Sequence, residues 1–304
     1  MKIVFLDAET TNPGDLSWDR LAALGEIEIY PRSTREQAKE RVKDADVVIF
    51  NGFDMDREII ECAPRLKFLC IAATGYDNLD LQAARERGIG CANVPAYSTE
   101  AVAQHTIALM LEMTNHVGMH DDSVRRHEWD QSRGECYWLA PMTLLDGKSL
   151  GICGYGRIGR RVARIAEAMG MKINIYSRDR AAALGSDFVT LHLPAAENTI
   201  GFISEDTIAQ MKDGAFLINA ARGALIDDNA VAGALRSGKL AGYAADVLSV
   251  EPPAEDNVLI GLPGCIITPH HAWCPIETRQ KLLDVCIDNI DSWMKGTELN
   301  RIDK

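Results

Sequence analysis

Short apolar runs alternate with amphipathic segments along nearly all of the 304-residue chain. Runs rich in Val, Ile, Phe and Leu at residues 2–7, 26–30, 46–51, 66–72 and 90–94 predict strands. Between them, residues 16–24, 35–42, 57–62 and 79–87 place apolar positions at helical spacing. Strand and helix in strict alternation mean a parallel sheet with helical crossovers. This first stretch fits one small open α/β domain.

Residues 99–117 predict a long helix whose first half is apolar on most faces: Ala101, Val102, Ala103, Ile107, Ala108, Leu109, Met110 and Leu111. Such a helix is normally buried. Gln104, His105 and Glu112 interrupt it, so it is no membrane span. It reads as an interdomain or subunit-contact helix, or as a core helix of one domain. Residues 127–142 are irregular, carry Trp129, Arg133, Trp138 and Pro141, and predict a surface arm. A second strand–helix series follows, with strands at 149–153, 172–176, 187–193, 215–219, 242–247 and 265–268, and a closing helix at 276–294.

Composition narrows the class. With 47% hydrophobic and 25% charged residues the chain is neither disordered nor fibrous, and its length suggests two domains. A net charge of −12 argues against a nucleic-acid partner, which needs a basic stripe. It leaves room for a small anion held by a local arginine. The eight cysteines form no C-x-x-C pair, and several lie in apolar runs where a thiol behaves as a small hydrophobe. One cluster, Cys265, His270, His271 and Cys274, invites a test for zinc, but its spacing fits no usual site and no metal is expected. The N-terminal apolar run is too short for a signal peptide, and no run approaches the ~18 apolar residues of a membrane span. A cytoplasmic protein with no membrane partner is expected.

Gly154-Tyr155-Gly156-Arg157-Ile158-Gly159 is a G-x-G-x-x-G between a predicted strand and a helix at 160–169, with another strand after it. That is the context a dinucleotide loop needs. Gly154 permits the turn, Gly156 lets a pyrophosphate approach the backbone, and Gly159 lets helix and strand pack closely. The next strand ends in Tyr176-Ser177-Arg178-Asp179-Arg180. An acidic residue there would bind an adenosine ribose and imply NAD. Ser177 is neutral and Arg178 and Arg180 can pair with a 2′-phosphate, which leans to NADP; Asp179 leaves NAD open.

Three later segments place polar residues at predicted strand ends: Asn219-Ala220-Ala221-Arg222-Gly223, Asp246-Val247-Leu248-Ser249-Val250-Glu251-Pro252, and Thr268-Pro269-His270-His271-Ala272-Trp273. In open α/β sheets ligands bind at the carboxyl ends of the strands. Arg222, Glu251 and His270 could therefore converge beside a nicotinamide.

With these motifs in view, the chain resembles a D-isomer-specific 2-hydroxyacid dehydrogenase, most like the glycerate dehydrogenase or hydroxypyruvate reductase branch. The likeness extends to Ala73-Thr74-Gly75-Tyr76-Asp77-Asn78-Leu79-Asp80 and to Ala101-Val102-Ala103-Gln104-His105-Thr106. It implies a Rossmann-type domain at 99–270 and a flavodoxin-like substrate domain of 1–98 with 271–304, facing each other across a cleft. It implies that Arg222 clamps the substrate carboxylate and polarises the keto oxygen. His270 would be the acid in reduction and the base in oxidation, with Glu251 fixing its tautomer; His271 is the rival to His270, and Glu255 or Asp256 to Glu251. Backbone amides at Thr74 and Gly75 would hold the carboxylate. Asp246 would face the nicotinamide amide, Thr106 would line the cofactor cleft, and His192, Pro194, Ala220 and Ala221 would join Gly154, Gly156, Arg157, Ile158, Gly159, Ser177 and Arg178 around the dinucleotide. The implied activity is NAD(P)H-linked reduction of a small 2-keto acid to the D-2-hydroxy acid, with hydroxypyruvate or glyoxylate leading, by a homodimer. A dinucleotide-sensing corepressor and a phosphoglycerate dehydrogenase without its regulatory domain are the rivals.

One departure stands out. The family usually places a helix, a strand and a helical turn between the strand ending near Tyr176 and the strand leading to His192. Here about twenty residues are missing. A helix and a strand cannot fit in 181–186. The expectation is that an edge strand of the nucleotide-binding sheet has been lost, leaving 172–176 as the edge and the adenine side more open.

Overall fold

A computed structural model describes residues 1–304. The chain forms two compact units, one of Met1–Ser98 with Cys274–Lys304 and one of Thr99–Trp273. The boundary after Trp273 lies three residues beyond the sequence estimate, because the backbone N–H groups of His271 and Ala272 bond to Asp246 of the second unit.

The first unit runs β1 (Lys2–Phe5), α1 (Asp19–Ala22), β2 (Glu26–Ile29), α2 (Arg35–Arg41), β3 (Val47–Phe50), α3 (Arg57–Glu61), β4 (Phe68–Ile71), α4 (Leu81–Glu86) and β5 (Gly90–Ala92). Its strands are all parallel in the order β2-β1-β3-β4-β5, which is flavodoxin-like. β3 and β4 are buried at every position, as strands covered on both faces must be. Side chains start the helices: Thr34 and Gln37 form a capping box on α2, and Asp56 and Asp80 cap α3 and α4.

The second unit opens with α5 (Thr99–Asn115), which packs on its own unit's α7 (Arg157–Ala168), introduced below with its sheet. The predicted helix stops at His116, whose φ of +51° breaks the spiral, and a further helix, α6 (Val117–Arg125), follows where none was predicted. Then come β6 (Ser149–Cys153), α7, β7 (Lys172–Ile175), α8 (Arg180–Leu184), β8 (Phe188–Leu191), α9 (Glu205–Gln210), β9 (Ala215–Asn219), a 3₁₀ turn (Gly223–Leu225), α10 (Asp228–Ser237), β10 (Leu240–Ala245) and β11 (Cys265–Ile267). The parallel order is β11-β10-β9-β8-β6-β7. A Rossmann sheet of order 3-2-1-4-5-6 has one more strand beyond its second. Here β7 is the edge, and no strand lies between Tyr176 and Asp187.

The crossover from β7 to β8 therefore passes over β6 in twelve residues, near the minimum for a parallel connection. α8 lies so close to β6 that a Cβ on Gly151 would meet the Ala183 carbonyl oxygen at 1.9 Å. Asn174 ties the crossover down by donating to the Ala182 carbonyl and to Ser186 Oγ. α11 (Ile276–Met294) returns the chain to the first unit and packs on β4.

Candidate active site

The glycine loop is a cradle. Gly154 has φ +101°, and a Cβ there would meet the His192 backbone at 2.5 Å. Gly159 is equally confined, 2.1 Å from the Gly154 carbonyl oxygen. Gly156 differs: nothing lies within 4 Å of its Cβ position. α7 begins at Arg157, three residues before the sequence estimate, so Ile158 and Gly159 belong to its first turn. Gly156 is its N-cap and offers no side-chain bond, which leaves the helix N–H groups open toward that space. An anion fits here. His192 adds a second sign, since its Nδ1 is enclosed without a partner while Nε2 meets Thr190 Oγ1 at 3.1 Å. Burial pushes that imidazole down to about 4. These residues fit a dinucleotide.

At the end of β7, Ser177 and Arg178 are exposed, and the Arg178 guanidinium lies 5.7 Å from the Tyr155 ring centroid. Asp179 is otherwise engaged: its Oδ1 accepts the Ala182 N–H and caps α8. Pro194 is exposed, Ala220 is buried and Ala221 is half-buried at the end of β9. Thr106 is fully buried with its hydroxyl on the Val102 carbonyl, so the back-bond turns the hydroxyl into its own helix.

The polar strand ends do converge. Beyond β9, Asn219 builds a tight turn, accepting from Ala221 N–H at 3.1 Å and donating to the Arg222 carbonyl at 2.9 Å. Arg222 is half-buried and donates from Nη1 to Ala221. Beyond β10, Glu251 accepts the Leu248 N–H on Oε1 at 2.8 Å and meets His270 Nδ1 with Oε2 at 2.6 Å. A carboxylate only accepts, so Nδ1 carries the proton and Nε2 is the nitrogen left for chemistry. His270, not His271, thus pairs with Glu251, and Glu251, not Glu255 or Asp256, is the carboxylate that reaches it. Burial opposes ionisation of Glu251. The bonds from His270 and Leu248 and the charges of His270 and Arg222 outweigh it, and its carboxyl lies below the usual range.

Asp246, expected to face the nicotinamide amide, is 1% exposed, and its carboxylate bonds to its own loop. Thr268 Oγ1 donates to it at 2.6 Å, and the His271 and Ala272 N–H groups donate at 3.0 and 2.8 Å. His105, Asp246 and His271 offer atoms within 4.8 Å of one another, but these bonds already occupy the carboxylate. Burial pushes the Cys265 thiol up to about 12, against the thiolate that zinc requires. Sequence reasoning missed the supporting roles of Asn219, Thr268 and His105. An Asn two residues before a turn was the one available signal. Thr74 stands beyond β4 in the first unit, its hydroxyl on the Val94 carbonyl at 2.8 Å and its own carbonyl accepting from Asn93, with Gly75 beside it.

A bare helix N-terminus behind a glycine loop, with an Arg–Glu–His set on the same sheet, defines a nicotinamide-dinucleotide oxidoreductase. The pattern described as D-isomer specific 2-hydroxyacid dehydrogenase, NAD binding domain, matches residues 107–272. The chain is 41% identical over 322 positions to a hydroxypyruvate reductase of Blautia hydrogenotrophica, covering 100% of both. It is similar to an acyclic imino acid reductase solved with NADPH and D-Arg (30% identity, TM-score 0.86, 99% of this chain and 100% of that one). It is also similar to the D-lactate dehydrogenase of Aquifex aeolicus solved with NAD and lactic acid (27%, TM-score 0.82, 97% and 96%). The chain belongs to the D-isomer specific 2-hydroxyacid dehydrogenase family, and its cofactor is a nicotinamide dinucleotide.

Proposed function

We propose that the protein reduces a small 2-keto acid, hydroxypyruvate or glyoxylate, to the D-2-hydroxy acid, with NADPH preferred over NADH. The observation that carries the reaction is the 2.6 Å contact of His270 Nδ1 with Glu251 beside the charge of Arg222. When bound, the dinucleotide supplies a hydride to the carbonyl carbon. Arg222 pairs with the substrate carboxylate and polarises the keto oxygen through a guanidinium that is always charged. In reduction the His270 imidazolium gives its Nε2 proton to the oxygen as that becomes a hydroxyl, leaving a neutral ring whose Nδ1–H stays on Glu251; in oxidation Nε2 of that neutral ring takes the proton back. Glu251 holds the ring in the tautomer that leaves Nε2 outward.

The preference for NADPH rests on Ser177 and Arg178 standing exposed while one oxygen of Asp179, Oδ1, is taken by the cap of α8. A homodimer in the cytoplasm is part of this reading. In its support, Val117, Trp129, Trp138, Met142 and Leu144 of the second unit are exposed apolar side chains on α6 and the following arm. No helix is long and apolar enough to cross a membrane. The test is a panel of 2-keto acids run with NADH and NADPH in parallel. Oxidation of cofactor with hydroxypyruvate or glyoxylate above pyruvate and phosphohydroxypyruvate is expected. No turnover with any acid would return the corepressor reading.

A further inference from the structure

His270 has φ +51°, a left-handed conformation that a non-glycine residue keeps only where its surroundings impose it. One residue imposes it. Asp246 takes three successive backbone N–H groups: His270 on its carbonyl at 2.8 Å, His271 on Oδ1 at 3.0 Å and Ala272 on Oδ2 at 2.8 Å. Oδ1 also accepts the Thr268 hydroxyl at 2.6 Å.

Thr268 Oγ1 lies 3.0 Å from His105 Nε2 on α5. Its other polar neighbours, Asp246 Oδ1 and the Ala245 carbonyl at 3.3 Å, are both acceptors. The single hydroxyl proton goes to one of them, so the oxygen accepts from His105, and Nε2 carries a proton. Burial holds the His105 imidazolium below its ordinary value, opposed by the charge of Asp246 and reinforced by His271, which favours the neutral ring with Nε2–H. The ring is fixed edge-on against His271, with centroids 5.0 Å apart at 85°. α5 packs on α7, β9 and β10, so the donor stands on a rigid element of the same unit.

We infer that His105 is a positioning residue for His270, orienting the Thr268 hydroxyl onto Asp246 and, through Asp246, the backbone of residues 270–272. This rests on the reading of His270 as the acid. A shift of the loop would move Nε2 off the substrate oxygen without removing any group that binds cofactor or carboxylate. The loss therefore falls on kcat rather than on KM.

The experiment uses the full chain, hydroxypyruvate and the better cofactor. It compares His105→Leu, His105→Gln, Thr268→Val, His270→Ala and the double variant His105→Leu/His270→Ala by kcat, KM and cofactor affinity from nicotinamide fluorescence. His105→Leu lowers kcat about tenfold and leaves KM and cofactor affinity within about twofold. Gln, whose amide can donate to Thr268 Oγ1, restores most of kcat, and Thr268→Val reproduces the loss if the Leu variant does not fold. In the His270→Ala background, His105→Leu removes nothing further. An equal loss in both backgrounds, or Gln no better than Leu, overturns the positioning role alone. Near-normal kcat for His270→Ala overturns the acid assignment, and this inference with it.

Discussion

At the β9–β11 end of the six-stranded sheet, Arg222, Glu251 and His270 each make at least one hydrogen bond, on turns held by Asn219 and Asp246. At the β7 edge, Ser177, Arg178 and Arg180 are exposed, and the Arg178 and Arg180 side chains rest only loosely over Tyr155 and Tyr176, 5.7 and 5.5 Å from the ring centroids. On the proposed reading, the difference follows from the work each end would do. Proton transfer depends on a donor within hydrogen-bond reach of one oxygen, so a small displacement is costly. Choosing a cofactor by its 2′-phosphate needs a positive charge at the rim, and such attraction tolerates a mobile side chain. Substitutions at the first end should therefore abolish turnover, and those at the second should redirect it.

The largest effect expected is at the first end. His270→Ala should lower kcat by roughly 10³-fold with cofactor binding nearly intact, because a general acid contributes about 10²–10⁴-fold. Arg222→Ala should cost about 10²–10³-fold in kcat/KM, and Arg222→Lys should rescue little, since an ammonium lacks the fork. Glu251→Gln is the sharper test. It keeps an oxygen for Nδ1–H but removes the charge, so a loss of about tenfold, below that of His270→Ala, separates charge from tautomer control. Steady-state kinetics with hydroxypyruvate check all of these, and near-normal kcat for His270→Ala would erase the contrast between the two ends.

Most of this architecture was legible in the chain, for physical reasons. β3 and β4 are continuous apolar runs because both faces of a parallel sheet are covered, and such runs announce themselves. The glycine loop was legible because Gly154 and Gly159 stand where no Cβ fits. The shortfall before Asp187 was legible as length, but its remedy was not. Gly151 lies inside a strand and looks like a weak position, whereas its missing Cβ is what lets α8 cross β6. α6 was overlooked since its face is largely exposed, with Val117, Met119 and Val124 open, so no apolar stripe marks it. The inward bonds of Thr106 and Asp246 were not legible, because a polar side chain at a strand end or on a helix can bond inward as well as outward.

A smaller effect tests how the shortened edge is held. Asp187 precedes β8 and accepts the Ser149 N–H and hydroxyl on Oδ2, both at 2.8 Å, and Lys212 Nζ on Oδ1 at 2.6 Å. It pins the start of β6 to β8 where the crossover is shortest. Burial opposes its charge, but Lys212 and Ser149 prevail and bring its carboxyl down to about 2 from 3.8. A carboxyl depressed on folding stabilises the fold fully above its unfolded value and loses that contribution as pH falls through the folded one. Asp187→Asn should thus destabilise by about 2 kcal/mol at pH 7, with the deficit shrinking below pH ~4 and nearly gone near pH ~2. Urea midpoints at pH 7, 5 and 3 measure it. An equal deficit at pH 7 and 3 would mean the carboxylate charge plays no part.

The smallest effect expected bears most directly on the open edge. Asp179 cannot serve both the cap of α8 and an adenosine ribose with the same oxygen, and its Oδ1 already accepts the Ala182 N–H at 3.0 Å. Arg178 has no such commitment beyond its distant contact with Tyr155, so its charge is free for a phosphate. Arg178→Ala should lower the ratio of kcat/KM for NADPH over NADH about tenfold, through KM for NADPH, while kcat with NADH stays within about twofold. Because the side chain is exposed and supports no core contact, thermal stability should not move. Ser177→Asp should push the same ratio in the same direction by adding an acceptor for the ribose and a repulsive charge against the phosphate. A wild-type ratio below one, or a ratio indifferent to Arg178, would show that the edge left bare by the missing strand does not choose the cofactor, and the contrast between a fixed catalytic end and a selective rim would have to be drawn elsewhere in the loop.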